Sequence, residues 1–335
     1  MKKLINDVDS LLAESLDGFA SAHADIVTLG EGGQFVQRRT LRPGKVGLIS
    51  GGGSGHEPLH TGFVGHGMLD AACPGQVFTS PTPDQMLAAV QAVETGAGVL
   101  FIVKNYSGDL MNFQIAAEML DCENQTVIVN DDVAVEDSTY TTGRRGVAGT
   151  LIVEKIVGAA AERGDTLAEL KALGDAVNKA TASMGVALTS CTVPAAGMPT
   201  FQIGPDEMEM GVGIHGEPGR HRTELACADD IAAELTGAIL KDLALKPGHE
   251  VLLMINGFGG TPQMELYLMV NAVRKVLQAA NVNVVRYLTG SYVTSLEMAG
   301  IRGFIVFIFV DGFSGGFIKF KITPDAIWEL MMPTI

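Results

Sequence analysis

The sequence predicts an α/β fold made of two α/β domains, and two observations carry this prediction. In the first half, short apolar segments such as 98–103 and 125–130 alternate with amphipathic helical segments. Uninterrupted apolar strands are typical of parallel sheets that are covered on both faces by helices. Two prolines within 192–199 interrupt this regularity, and a second alternating pattern follows them. We therefore predict an N-terminal domain over 1–190 and a C-terminal domain over 191–335.

Apolar periodicity and capping residues predict the individual elements. A capping box, formed by Thr166 and Glu169, predicts the start of one further helix. The predicted helices cover residues 4–22, 84–94, 110–120, 146–162, 229–241 and 263–279. The predicted strands cover residues 45–50, 98–103, 125–130, 185–190, 251–256, 282–288 and 304–310.

Composition and charge exclude some classes of protein. Hydrophobic residues make up 47% of the 335 residues and charged residues 18%, which is typical of a well-packed globular chain. The formal net charge of −15 argues against direct binding of nucleic acid. The four cysteines form no CxxC pair, the N-terminus has no signal-peptide pattern, and the apolar run 304–310 is too short to span a bilayer. These features predict a cytoplasmic protein without a membrane span.

The ends of the predicted strands indicate where a ligand binds. In parallel sheets, ligands collect beyond the carboxyl ends of the strands. Residues 51–56 follow the first predicted strand and residues 104–109 follow the second. Both segments are rich in glycine and polar groups, so we expect them to share one site.

The segment SGGGSGHEPLH at 50–60 allows two functional interpretations. Its end, HEPLH, matches the H-E-x-x-H pattern of zinc hydrolases, but Pro58 disfavours the single helix that would align His56 with His60. Its glycines resemble a phosphate loop, yet the lysine of a nucleotide-binding P-loop is missing. We predict no metal site, and expect a close backbone approach to a small ligand with His56 at its rim. A plain tight turn is the alternative.

Two further segments carry side chains that can take part in binding or catalysis. Lys104 and Asp109 lie five residues apart at a strand end, where the lysine can bind an oxygen and the aspartate can accept a hydroxyl proton. An N-cap role for Asp109 is an equal alternative. In GVGIHGEPG, His215 is surrounded by glycines, and a neutral imidazole can act as a nucleophile. A structural histidine in a turn is the alternative there.

Several blocks together resemble the dihydroxyacetone-binding K subunits of dihydroxyacetone kinases. They include GKVGLISGGGSGHEPLHTGFVGHGML, ACPGQVFTSPTPDQM, IVKNYSGDLMNF, NDDVAV, GRRGVAGT, TVPAAGMP and EMGVGIHGEPG, in order over roughly residues 1–300. The resemblance implies a homodimer of two-domain subunits with the ligand in the cleft between the domains. It implies that His215 forms a hemiaminal with dihydroxyacetone through Nε2. It also implies acid–base roles for His56 and Asp109, with Gly53, Ser54, Gly55 and Lys104 helping to hold the substrate.

The resemblance extends to partners. A chain of this length resembles the phosphotransferase-dependent type, in which a separate L subunit carries ADP or ATP with Mg and is recharged by a phosphohistidine protein. This chain would then bind no cofactor itself. The alternative is a non-catalytic paralogue that senses dihydroxyacetone and acts on a transcription regulator. After residue 300 the sequence departs from the family pattern, and DGFSGG with IKFKI in the tail 301–335 predicts an extra hairpin.

Overall fold

The computed structural model describes residues 2–308, which form two six-stranded sheets with helices packed against them. The helices are α1 (Leu11–Ala22), α2 (Pro83–Val93), α3 (Ser107–Glu118), α4 (Gly149–Arg163), α5 (Leu167–Lys179), α6 (Ala228–Asp242) and α7 (Gln263–Ala279). The strands are β1 (Val27–Leu29), β2 (Val36–Arg38), β3 (Gly47–Ser54), β4 (Ala71–Val77), β5 (Val99–Lys104), β6 (Asn124–Val129), β7 (Thr181–Ala187), β8 (Glu207–Met210), β9 (His221–Glu224), β10 (Glu250–Gly257), β11 (Asn283–Gly290) and β12 (Gly300–Ile308).

The first sheet has the order β1-β2-β4-β3-β5-β6, and its strands β4, β3, β5 and β6 pair in parallel. The predicted parallel sheet is confirmed for these four strands. The strands β1 and β2 extend it in antiparallel pairing. The connection between β1 and β2 is short and allows only antiparallel pairing, because a parallel pair needs a long crossover.

Helices cover both faces of this sheet, as the apolar strands predict. Along β5, Leu100 and Ile102 pack on the side of α4 and α5, whereas Phe101 and Val103 pack on the side of α2 and α3. Successive side chains of a strand point to opposite faces, so a strand buried on both faces is apolar throughout. All six residues of β5 are buried.

The second sheet is mixed, with the order β11-β10-β12-β7-β8-β9. Only β10 and β11 pair in parallel within the described residues, and β12 lies antiparallel between β10 and β7. The strand β7 precedes the predicted domain boundary at 190/191 but pairs in this second sheet. The division into 1–190 and 191–335 remains a prediction.

Several predicted elements differ from the structure in their bounds, and the strand predicted over 304–310 begins earlier, at Gly300, as β12. The helix predicted over 4–22 begins only at Leu11, because the Asp7 carboxylate accepts a hydrogen bond from the Asp9 backbone and competes with helical bonding there. The strand predicted over 45–50 continues to Ser54, so the glycine run is part of β3. The strand predicted over 185–190 lies earlier, as β7. The capping box is confirmed, since the Glu169 amide donates to the Thr166 hydroxyl at the start of α5.

The tail hairpin predicted after residue 308 lies outside the described residues. In residues 2–308, no helix combines the length and apolar character that a membrane crossing requires.

Candidate functional site

The loop that follows β3 meets a segment from the second half of the chain. The Gly55 carbonyl accepts a hydrogen bond from the Leu296 backbone at 2.9 Å, and the His56 carbonyl accepts one from Thr294 at 3.1 Å. Gly55 has a φ of 98°, a left-handed conformation that glycine adopts without strain. The carboxyl end of β3 is therefore joined to residues 294–296.

His56 is fully buried, and its ring is held in one orientation. The Nδ1 atom lies 2.7 Å from the Thr294 carbonyl oxygen, which can only accept, so Nδ1 carries the proton. The ring stacks on Phe78 with centroids 4.9 Å apart. Burial holds the pKa of His56 well below its usual value, and the neighbouring His215 and Lys104 act in the same direction. His56 is therefore a neutral imidazole whose Nε2 lone pair faces the site.

His215 lies beside His56, with the two Nε2 atoms 3.1 Å apart. Its Nδ1 lies 2.9 Å from one oxygen of the Glu217 carboxylate, and its backbone N–H donates to the other oxygen at 2.8 Å. The His215 side chain is 15% exposed, so a small molecule can reach it. A carboxylate at Nδ1 favours the proton on that nitrogen. Two nitrogen lone pairs do not face each other at hydrogen-bond distance, so the His215 Nε2 atom must separate from His56 Nε2 before it acts as a nucleophile.

Glu217 is ionised in this arrangement. Burial alone would raise its pKa, but the contact with His215 and the charge of Arg145 lower the pKa to about 2. The glycines of the loop make room for this carboxylate, since a Cβ atom on Gly213 would lie 2.1 Å from Glu217 Oε2. The glycine-rich surroundings of His215 therefore have a local cause that sequence reasoning missed.

Aromatic rings enclose the His215 imidazole. Tyr106 and Phe78 approach it edge-on, at centroid distances of 4.8 and 5.1 Å. Tyr106 lies between Lys104, the last residue of β5, and Asp109, in the first turn of α3, so this segment lies next to the ring. The ends of β3 and β5 lie close together, as predicted. His215, from the second half of the chain, lies beside them.

Lys104 and Asp109 are both buried and face each other. The Lys104 Nζ atom lies 3.7 Å from Asp109 Oδ2, 2.8 Å from His60 Nε2 and 3.3 Å from the Gly51 carbonyl oxygen. The Ser80 hydroxyl donates to the other oxygen of Asp109. Asp109 is the third residue of α3, whose N-cap is Tyr106, and it makes no capping bond. The N-cap alternative for Asp109 is therefore wrong.

The glycine run of β3 is neither a phosphate loop nor a tight turn. A Cβ atom on Gly51, Gly52 or Gly53 would lie 2.5 Å from the Cys73 carbonyl, 2.3 Å from Lys104 Nζ, or 2.6 Å from the Thr79 amide, respectively. These glycines are needed because packed groups occupy the space of a side chain. The Ser54 hydroxyl donates to the Gly75 carbonyl at 2.7 Å. Substrate contacts of Gly53, Ser54 and Gly55 stay predictions.

The HEPLH segment is not helical, and its two histidines face different partners. His56 contacts His215, whereas His60 contacts Lys104 and Glu154. Among residues 2–308, no three His, Cys, Asp or Glu side chains form a group that could hold a metal ion.

Sequence reasoning missed several groups of the site: Gly52, His60, Ser80, Glu154, Thr294 and Glu217. Glu217 lies two residues after His215, so the motif itself contained a signal. Thr294 and Glu154 had none, because they contact histidines that are 238 and 94 residues away in the chain.

Comparisons with known proteins place this chain in a family. A family model described as the Dak1 domain matches residues 17–310. The dihydroxyacetone-binding subunit DhaK of a PTS-dependent dihydroxyacetone kinase from Listeria innocua is 52% identical over 304 residues, covering 90% of this chain and 92% of that protein. The corresponding subunit of the PEP-dependent kinase from Escherichia coli is 45% identical, with the same coverage of 90% and 92%.

Solved structures agree with the sequence relatives. A co-activator of the dihydroxyacetone kinase operon, Dha-DhaQ, superimposes with a TM-score of 0.83 at 33% identity, covering 88% of this chain and 92% of that one. The dihydroxyacetone kinase of C. freundii, in complex with AMP-PNP and Mg²⁺, also gives a TM-score of 0.83, at 35% identity. That match covers 92% of this chain and 57% of the kinase chain. The chain therefore belongs to the Dak1 family, together with the dihydroxyacetone-binding subunits of dihydroxyacetone kinases.

Proposed function

We propose that this chain is the dihydroxyacetone-binding subunit of a dihydroxyacetone kinase, which captures its substrate as a hemiaminal on His215. The observation that carries the proposal is the pairing of the His215 Nδ1 atom with the Glu217 carboxylate, beside a second, neutral imidazole. The names of the similar K subunits support the choice of dihydroxyacetone as the ketone.

The capture step balances without an outside reagent. The Nε2 lone pair of His215 adds to the carbonyl carbon, the π bond of the carbonyl breaks, and its electrons move to the oxygen. The oxygen takes one proton from water and the ring releases its Nδ1 proton to water, so the hemiaminal is neutral and no net proton is gained or lost. The Glu217 carboxylate stabilises the positive charge that develops on the ring while the bond forms. Glycerol has no carbonyl and cannot undergo this step, so capture selects a ketone from polyols of similar size.

The phosphorylation step uses the end of β5 and the start of α3. Asp109 accepts the proton of the terminal hydroxyl while that oxygen attacks the phosphorus, and the Lys104 ammonium stabilises negative charge nearby. His56 assists as a second acid–base group through Nε2. The phosphoryl group comes from a nucleotide with Mg²⁺ on a separate L subunit. The similar K subunits that depend on the phosphotransferase system support this arrangement.

Carbon-13 NMR tests the capture directly. Dihydroxyacetone labelled at its central carbon should lose its carbonyl signal and gain a signal of a tetrahedral carbon when the chain is added. The variant His215→Ala should leave the carbonyl signal unchanged. His221→Ala is the matched control, because His221 lies on β9 with an exposed side chain, and it should capture the ketone normally. An unchanged tetrahedral signal in His215→Ala would refute the covalent role.

A second candidate is a sensor that binds dihydroxyacetone and acts on a transcription regulator. The similarity to the co-activator Dha-DhaQ favours this possibility. A pure sensor needs His215 but has no use for the buried Lys104 and Asp109 pair. Turnover with a charged L subunit therefore distinguishes the two functions.

A further inference from the structure

Two buried ionisable side chains near the site have no part in the proposed chemistry. Glu154, on α4, is fully buried, and its Oε1 atom lies 2.7 Å from Nδ1 of His60. His60 is the second histidine of HEPLH, and its Nε2 atom lies 2.8 Å from the Lys104 ammonium. The three side chains form a continuous chain from α4 to the end of β5.

The direction of the hydrogen bonds in this chain follows from the chemistry of an ammonium group. An ammonium has three donors and no acceptor, so the His60 Nε2 atom must accept from Lys104. The proton of the neutral His60 ring then lies on Nδ1, which is 2.7 Å from Glu154 Oε1 and 3.0 Å from the Ser50 hydroxyl oxygen, so both oxygens accept from it. Burial holds the pKa of His60 well below its usual value, and Lys104 and His56 act in the same direction, so the ring stays neutral.

These contacts restrict the Lys104 ammonium to one position. It donates to His60 Nε2 and to the Gly51 carbonyl oxygen, which leaves its third donor on the side of Asp109. We propose that Glu154, acting through His60, is a positioning residue that keeps the Lys104 ammonium charged and directed at Asp109. His60 has the same role, because it transmits the contact.

The charges around Lys104 give this role a pH dependence. Burial lowers the pKa of Lys104, and the opposing influences are Asp109 on α3 and Glu154 on α4. His60 and His56, in the loop after β3, are neutral. Burial raises the pKa of Glu154 to about 8, against the influence of the Lys104 charge. Glu154 therefore becomes negative as the pH rises through about 8, and this new charge opposes loss of the Lys104 proton.

The variant Glu154→Gln isolates this charge. The glutamine oxygen still accepts the His60 proton, but no negative charge forms at alkaline pH. Titration of carbon-13-labelled lysines by NMR should show the pKa of Lys104 lower by about one unit in Glu154→Gln than in the unaltered chain. The signal of Lys104 is assigned by its absence from Lys104→Ala.

Glu162→Gln is the matched control. Glu162 lies on the same helix and is largely buried in an ion pair with Arg38, away from Lys104. This variant should leave the pKa of Lys104 unchanged. Equal pKa values for Lys104 in the unaltered chain and in Glu154→Gln would overturn the proposal.

The unaltered chain offers a second test that needs no folded variant at position 154. Nitrogen-15 NMR of histidine side chains should place the His60 proton on Nδ1, with Nε2 unprotonated. A His60 ring protonated on Nε2 would overturn the proposal, because Lys104 could not then donate to it.

A kinetic measurement tests whether the contacts of Glu154 and His60 with Lys104 affect turnover. This test rests on the proposed function. With a charged L subunit, the loss of turnover at alkaline pH should begin about one pH unit lower in Glu154→Gln than in the unaltered chain. Coincident pH profiles would overturn the role of Glu154 while leaving the proposed function intact. Absence of turnover in the unaltered chain would instead refute the proposed function, and the two NMR measurements would still decide the inference.

Discussion

The two nitrogens of the His215 ring face different groups, so the ring has a defined orientation. Nδ1 lies against the buried Glu217 carboxylate, and Nε2 lies beside His56 at the edge of the enclosure formed by Tyr106 and Phe78. A ring held in this way has its Nε2 atom on the side where a ketone can replace the contact with His56. The same logic applies to His56 and His60, where Thr294 and Glu154 hold the proton on Nδ1.

The residue Asp109 should be needed for phosphorylation and dispensable for capture. In Asp109→Asn the amide cannot accept the hydroxyl proton, so we expect turnover with a charged L subunit to fall by about 100-fold or more. The tetrahedral carbon-13 signal of the captured ketone should persist. Asp84→Asn is the control, because Asp84 also lies in the first turn of a helix but is exposed on α2. Normal turnover in Asp109→Asn would show that another group accepts the proton.

At the scale of the element, β3 shows how packing demands a particular sequence. Its first residues are buried in the sheet, and residues 51–53 are glycines because Lys104, Cys73 and Thr79 occupy the positions that side chains would take. Glycine weakens an isolated strand, so its use here reflects close approach of neighbouring groups. The strand thereby brings its backbone against the lysine of the neighbouring strand β5.

Replacement of one glycine of β3 should disturb the site through Lys104. A methyl group in Gly52→Ala would lie 2.3 Å from Nζ and must displace the ammonium. Because a misplacement of about 1 Å can cost about 100-fold in rate, we expect turnover to fall by between about 10-fold and 100-fold, while capture by His215 continues.

Gly237→Ala, on α6, is the control for this substitution. A Cβ atom there meets nothing within 4 Å, so this variant should gain about 0.5–1 kcal/mol in free energy of unfolding and keep normal turnover. If Gly52→Ala also kept normal turnover, the position of the Lys104 ammonium would be unimportant for the reaction.

At the scale of the whole molecule, the site exists only where the two sheets meet. A buried cluster of Asp132, Arg145 and Arg302 joins them, since both arginines pair with Asp132. The same arginines donate to the carbonyls of Gly211 and Val212, next to the loop that carries His215. The position of His215 therefore depends on contacts from the first sheet and on β12 of the second.

The whole chain should bind its substrate but not phosphorylate it alone. The sequence has no lysine-containing phosphate loop. At the glycines of β3, other groups of the protein occupy the space that a side chain would take. With ATP, Mg²⁺ and dihydroxyacetone, the purified chain should form no dihydroxyacetone phosphate above background in a coupled assay. Addition of an L subunit charged with its nucleotide should start turnover. Phosphorylation by the chain alone would contradict a separate nucleotide-bearing partner.

The sequence by itself determined the α/β class, the parallel strands with helices on both faces, and the segments that carry His56, Lys104, Asp109 and His215. These features depend on local periodicity and on short motifs, which are readable along the chain. Only the tertiary structure decided that His56 and His215 lie side by side and that His60 and Glu154 support Lys104. It also decided that the β3 glycines leave space for other groups. Such contacts join residues far apart in sequence, and they follow from the packing of two sheets, which no local pattern records.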